Sequence, residues 1–119
     1  MSETISETAG KVVWFELPAD DTTRARDFYG RLFGWQFQPF EGMPEYQMTY
    51  EGGGAIQPAD GHKGPLVHFG ANDIDASISR VRELGGEASD AQEIPGVGRY
   101  SRCTDTEGNS FGLFQGGGE

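Results

Sequence analysis

Two spacings of apolar residues take turns along this chain. Residues 12–17 (VVWFEL) are β-branched and aromatic around a single carboxylate, the pattern of a strand closed by Pro18. Asp20 or Asp21 can then cap a helix through its carboxylate. In that helix Ala25, Phe28, Tyr29, Leu32 and Phe33 fall at i, i+3, i+4, i+7 and i+8, one apolar stripe. Asp27 and Arg31 form a favourable i,i+4 pair, and Gly34 predicts a left-handed stop. Strand patterns follow at residues 35–40, 45–50 and 53–57, then a loop at residues 58–64.

The second half starts the same way. Residues 66–71 (LVHFGA) read as a strand. Asp73 caps a helix whose Ile74, Ile78, Val81 and Leu84 share a face, stopped by Gly85 and Gly86. Strands near residues 87–89, 98–104 and 110–115 complete it. Asp21, Glu16, Leu32 and Gly34 recur 52 positions later as Asp73, His68, Leu84 and Gly86. Cap, stripe, stop and helix length agree between the halves, which marks an internal β-α-β-β-β repeat. A half of this size can hardly bury one sheet face alone, so two halves, or halves from two chains, must share a core.

Composition narrows the classes of function. The 119 residues suit one domain, and 8 Phe, 4 Tyr and 2 Trp supply its large buriable surfaces. With only 9 Lys and Arg against 19 Asp and Glu, the net charge of −10 disfavours nucleic acid and anionic membranes as partners. No apolar run reaches the roughly 18–20 residues of a membrane span. Residues 1–10 read as a polar tail without the basic-then-apolar pattern of a leader, and residues 116–119 as a second tail. A single cysteine, Cys103, excludes an internal disulfide, and a cytoplasmic protein is the simplest reading. Cys103 has no neighbouring histidine in sequence, so an inert buried thiol is expected rather than a nucleophile.

WFELPADDTTRARDFYGRLFGW, GGGAI, the strand–Asp–helix–LGG segment and DTEGNSFGLFQ together resemble the vicinal oxygen chelate superfamily. That group includes glyoxalase I, bleomycin-resistance proteins and extradiol dioxygenases. The resemblance covers residues 11–115, with modules at about 11–57 and 65–115. It implies an α+β fold of two βαβββ modules forming a curved mixed sheet around a cavity, and a homodimer. Catalytic members hold a divalent metal there through His, Gln or Glu. Carried onto this chain, the four ligand positions fall on Trp14, Gly54, Leu66 and Gly112, none of which offers a donor side chain. No metal ligand and no cofactor are therefore expected, and a divalent metal would need non-standard ligands such as Glu16 and His68.

Strand alternation then selects the site residues. Trp14 shares a face with Glu16, Leu66 with His68, and Gly112 with Phe114. A carboxylate and an imidazole in an apolar cleft can fix a ligand or act as an acid–base pair, which makes Glu16 and His68 the candidate catalytic residues. Each has a structural alternative: Glu16 held by backbone or an arginine, His68 as a bonded core histidine. Gly54 and Gly112 would leave space, and Trp14 and Phe114 would supply aromatic walls. Arg102, alternating with Tyr100, could take a carboxylate or phosphate, with the solvated face of the strand as its more ordinary place. His62, in a Gly- and Asp-rich loop, reads as solvated.

The expected function is a small-molecule-binding protein of the bleomycin-resistance type, with a ligand lined by Trp14, Glu16, His68, Gly112, Phe114 and Arg102. A metal-dependent glyoxalase-like lyase or isomerase, or a dioxygenase, is the alternative. A structural or regulatory interaction protein with a filled cavity is the third.

Overall fold

The computed structural model of the chain describes residues 8–61 and 64–117. His62 and the tail residues 1–7 and 118–119 lie outside the described residues. The element order is β1 (Val12–Ala19), α1 (Thr22–Phe33), β2 (Gln38–Phe40), β3 (Met43–Thr49), β4 (Gly54–Pro58), β5 (Leu66–Gly70), α2 (Ile74–Glu83), β6 (Glu87–Ala88), β7 (Gln92–Ile94), β8 (Gly98–Thr104) and β9 (Ser110–Gly116). The fold is α+β, built from two βαβββ modules. Two compact units divide the chain: Trp14–Leu66, and Val67 onward together with the segment leading up to Val13.

Both modules are wired alike. In the first, β1 pairs parallel with β4, while β3 runs antiparallel to β4 and to β2. In the second, β5 pairs parallel with β9, β8 runs antiparallel to β9, and the short β6 and β7 both pair with β8. Parallel neighbours need a long crossover, and each helix supplies part of it. The caps follow the sequence pattern. Arg24 N donates to Asp21 Oδ1 at 2.9 Å and Ala76 N to Asp73 Oδ1 at 3.2 Å. Gly34, at φ 77°, closes α1 in the left-handed region, which costs a glycine little. Gln115 Oε1 accepts from Ile74 N at 2.8 Å and satisfies another open donor at the start of α2.

In the second unit Ile74, Ile78 and Val81 of the expected stripe face the core, while Leu84 is exposed. Ile74 and Ile78 of α2 pack with Ala71, Cys103 and Leu113, flanked by Phe69, Val81 and Phe111. The first helix departs from its pattern. None of its residues is buried, and Phe28, Leu32 and Phe33 are 59%, 58% and 57% exposed. Its aromatics pack chiefly with one another: Tyr29 stacks on Trp35 at 5.7 Å, and Trp35 meets Phe33 at 5.0 Å and Phe15 at 6.3 Å.

Several boundaries differ from the sequence reading for identifiable reasons. Residues 35–37 are not a strand, because Trp35 turns its ring onto Phe15, Tyr29 and the backbone of Gly52. Pro18 does not end β1; it sits opposite Gln57, where an extended φ suffices and only a donor is missing. The strand β7 has no hydrophobic signal and forms through backbone pairing with β8. Residues 8–10 are not a free tail: Ala9 bridges Gly70, and Gly10 N donates to Gly70 O at 2.9 Å. Gly116 likewise belongs to β9, opposite Gly98.

Gly54 provides a test of this packing. A Cβ there would lie 2.4 Å from the Phe15 carbonyl oxygen and 2.7 Å from its ring. Gly54→Ala should lower stability in urea unfolding by about 1–3 kcal/mol through overpacking. An unchanged midpoint would mean that β1 and β4 do not pair in this register.

Candidate functional site

The face of each sheet that carries its helix is settled by packing. Phe15 joins Trp35 and the α1 aromatics, so Trp14 and Glu16 point to the opposite face of the first module. Phe69 joins the α2 cluster, so His68 points to the opposite face of the second. Glu16 and His68 therefore hold equivalent places, as the 52-residue offset predicts.

In the first module these residues belong to a directed hydrogen-bond chain. Trp14 Nε1 donates to the Tyr46 hydroxyl at 2.8 Å, and that hydroxyl donates to Glu16 Oε2 at 2.5 Å. Tyr46 comes from β3, two strands away from β1 across β4. Between them Ala55 stands opposite both Glu16 and Met48, and its small side chain shares their face. Phe40 and Tyr50 complete the surroundings, with ring centroids 6.1 Å from Tyr46 and 6.2 Å from Trp14 respectively. Burial, and then the Glu16 charge, push the Tyr46 hydroxyl well above its ordinary value. The phenol therefore stays a neutral donor, and Glu16 is held as a hydrogen-bonded carboxylate. Tyr46 carries no local sequence signal of this role. Its alternation with Met48 and Tyr50 was visible, but the strand it would face was not.

In the second module the pairing aligns His68, Gly112 and Arg102 as one row across β5, β9 and β8. The next row is Gly70, Phe114 and Tyr100. Four sequence candidates thus share one face of one unit. Gly112 does not leave open space as expected. A Cβ there would fall 2.0 Å from His68 Nδ1 and 2.5 Å from Cε1, so the imidazole lies over the glycine backbone. His68 is 8% exposed, whereas Arg102 is exposed. The Phe114 ring tips toward Gly98, whose Cβ would come within 2.9 Å of it. The Tyr100 hydroxyl donates to Gln92 Oε1 at 3.1 Å. Cys103 is a core thiol, 2% exposed, and burial pushes its pKa up.

The register also corrects the alignment of Gly54 with Gly112. Gly54 faces the helix side opposite Phe15, and Ala55, opposite Glu16, is the true counterpart of Gly112 opposite His68. The metal positions implied by the resemblance therefore read Trp14, Ala55, Leu66 and Gly112. None carries a metal-ligating side chain, and the imidazole occupies the place of a side chain at Gly112. Among the described residues no group of three or more His, Cys, Asp or Glu could hold a metal ion. The side chains at these four positions do not fit a metal of the superfamily type. No helix among them is long and apolar enough to cross a membrane.

The wiring of the two modules defines a class of protein, and comparison with known proteins agrees. Residues 11–49 match the family model for the N-terminal part of bleomycin resistance protein-like domains. A glyoxylase-like domain-containing protein of Didymella fabae is 33% identical over 118 residues, spanning 87% of this chain and 92% of its own. This chain belongs to the glyoxalase-like and bleomycin-resistance-like proteins of the vicinal oxygen chelate superfamily. Other curated relatives are longer, and the chain spans only 44% or 43% of them. Among solved structures, a superfamily member from Vibrio splendidus 12B01 superposes with a TM-score of 0.67 at 14% identity, covering 85% of this chain and 95% of that one. Methylmalonyl-CoA epimerase of Streptomyces coelicolor, in complex with 2-nitronate-propionyl-CoA, superposes with a TM-score of 0.66 at 16% identity, covering 90% and 97%. These two likenesses show the fold.

Tyr46→Phe tests the hydrogen-bond chain. Loss of the hydroxyl should cost about 1–2 kcal/mol of stability at neutral pH, as for a hydrogen bond to a charged group that keeps some solvent. The folded pKa of Tyr46 is raised above the ordinary 10.0. Its contribution is therefore complete below about pH 10 and falls as pH climbs toward the folded value. The stability gap between the wild type and Tyr46→Phe should be flat from pH 7 to about 10 and narrow above it. Urea unfolding across that range reads it; a gap that widens with pH would contradict the assignment.

Proposed function

We propose that this chain is a small-molecule-binding protein of the bleomycin-resistance type that works without a metal. The observation that carries this reading is the Trp14–Tyr46–Glu16 chain. It presets a carboxylate acceptor on an aromatic sheet face, two residues along β1 from Trp14, the first-strand position at which the resemblance implies a ligand. An apolar surface with a few fixed polar groups is the usual form of a small-molecule site. The protein acts as a homodimer in the cytoplasm. The resemblance supports the dimer, as does the apolar surface that Phe28, Leu32 and Phe33 leave open on α1. The single cysteine suits a reducing compartment.

Two measurements on purified protein test this reading. Elemental analysis after gel filtration should find less than about one divalent ion per ten chains, and EDTA should leave Tm unchanged. Stoichiometric Zn, Ni, Mn or Fe would overturn the metal-free reading and make the protein a metal-dependent lyase, isomerase or dioxygenase. Light scattering on the same sample should give twice the 12.9 kDa chain mass. A mass of one chain would remove the dimer.

A further inference from the structure

We propose that the face of the second module opposite α2 binds the carboxylate of an aromatic acid, with Arg102 as its anchor. The inference rests on the small-molecule reading above and names the ligand's chemistry. Three features of that face carry it.

The first is the row His68–Gly112–Arg102. Strands stand about 4.8 Å apart, so His68 and Arg102 are separated by roughly 10 Å of sheet with only a glycine between them. The second is the seat of the imidazole. Because Gly112 has no Cβ, the His68 ring leans from β5 onto β9 and forms a nearly buried floor in the row that Arg102 shares. A floor that excludes water on one side strengthens a charge pair made above it. The third is the next row, about 7 Å along the strands, where Phe114 and Tyr100 face the same way. The Phe114 ring tips away toward Gly98, and the Tyr100 hydroxyl is fixed by Gln92. An aryl ring can rest against their edges while its carboxylate reaches the Arg102 row.

The guanidinium suits this task better than an ammonium would. It is planar, permanently charged and matches a carboxylate with two parallel N–H bonds. Its five donors let it take such a partner alongside others. In a chain of net charge −10 an anion on this face depends on the local field of the guanidinium. Gly112 acts as a positioning residue: it touches no ligand but sets where the imidazole lies.

The test titrates the full-length protein with benzoate and with benzamide, a neutral molecule of the same shape, following backbone amide shifts by NMR. Benzoate should perturb residues of β8 and β9 and bind about tenfold more tightly than benzamide. Arg102→Gln should weaken benzoate about tenfold and leave benzamide unchanged, with an unaltered circular dichroism spectrum. Gly112→Ala should weaken benzoate by displacing the imidazole. Should that variant fail to fold, His68→Ala, which removes the floor without crowding, must show the same weakening. Equal binding of benzoate and benzamide, or benzoate affinity indifferent to Arg102→Gln, would overturn the inference and leave the small-molecule reading standing. If co-purified and added small molecules of every charge fail to bind anywhere on the chain, the broader reading falls with it.

Discussion

The parallel pairing of first and last strand within each module is the constraint on which the other features depend. Two neighbouring strands running the same way cannot be joined by a tight turn, so the chain must leave the sheet and return. Each module makes that excursion through a helix and antiparallel strands, and the helix lies over one sheet face. Phe15 and Phe69 then become packing residues. Their sequence neighbours Glu16 and His68 are turned to the other face, where polar chemistry need not compete with the core.

The two modules use that freed face differently. The first builds polarity outward from β1. An indole donates to a phenol and the phenol to a carboxylate, so each donor has one acceptor and the direction of the chain is set. The second spreads its polar groups along a row and uses a missing side chain to seat one of them. A metal site of the kind the resemblance implies needs N, O or S donors at its four ligand positions. Here those positions hold an indole, a methyl, an isobutyl group and a hydrogen. The hydrogen at Gly112 is what admits the His68 ring.

The two helices show how one pattern can have two outcomes. The stripe of α2 is aliphatic, and Ile74 and Ile78 are fully enclosed by Cys103, Leu113 and their neighbours. The stripe of α1 is aromatic, and its rings pack on one another and on Trp35 rather than sinking into the sheet. Large rings in edge and offset contacts stabilise a cluster while leaving much of their own area in water. Helix amphipathicity therefore located both helices but not the depth of their burial.

Local chemistry was legible in the sequence. Asp21 and Asp73 as caps, Gly34 as a stop, the strands at residues 98–104 and 110–115, and the equivalence of Glu16 with His68 all depend on residues a few positions apart. Strand alternation also assigned which residues of one strand share a face. The tertiary structure alone decided how strands meet. Tyr46 and Glu16 bond across 30 residues of chain, and nothing local to either announces the other. The register decided that Ala55, not Gly54, stands opposite Glu16, and that His68 lies over Gly112 rather than beside an empty space. The reason is geometric. Side chains repeat every two residues along a strand, so a slip of one position between paired strands exchanges the two faces. Only the pairing itself, formed between segments far apart in the chain, removes that ambiguity.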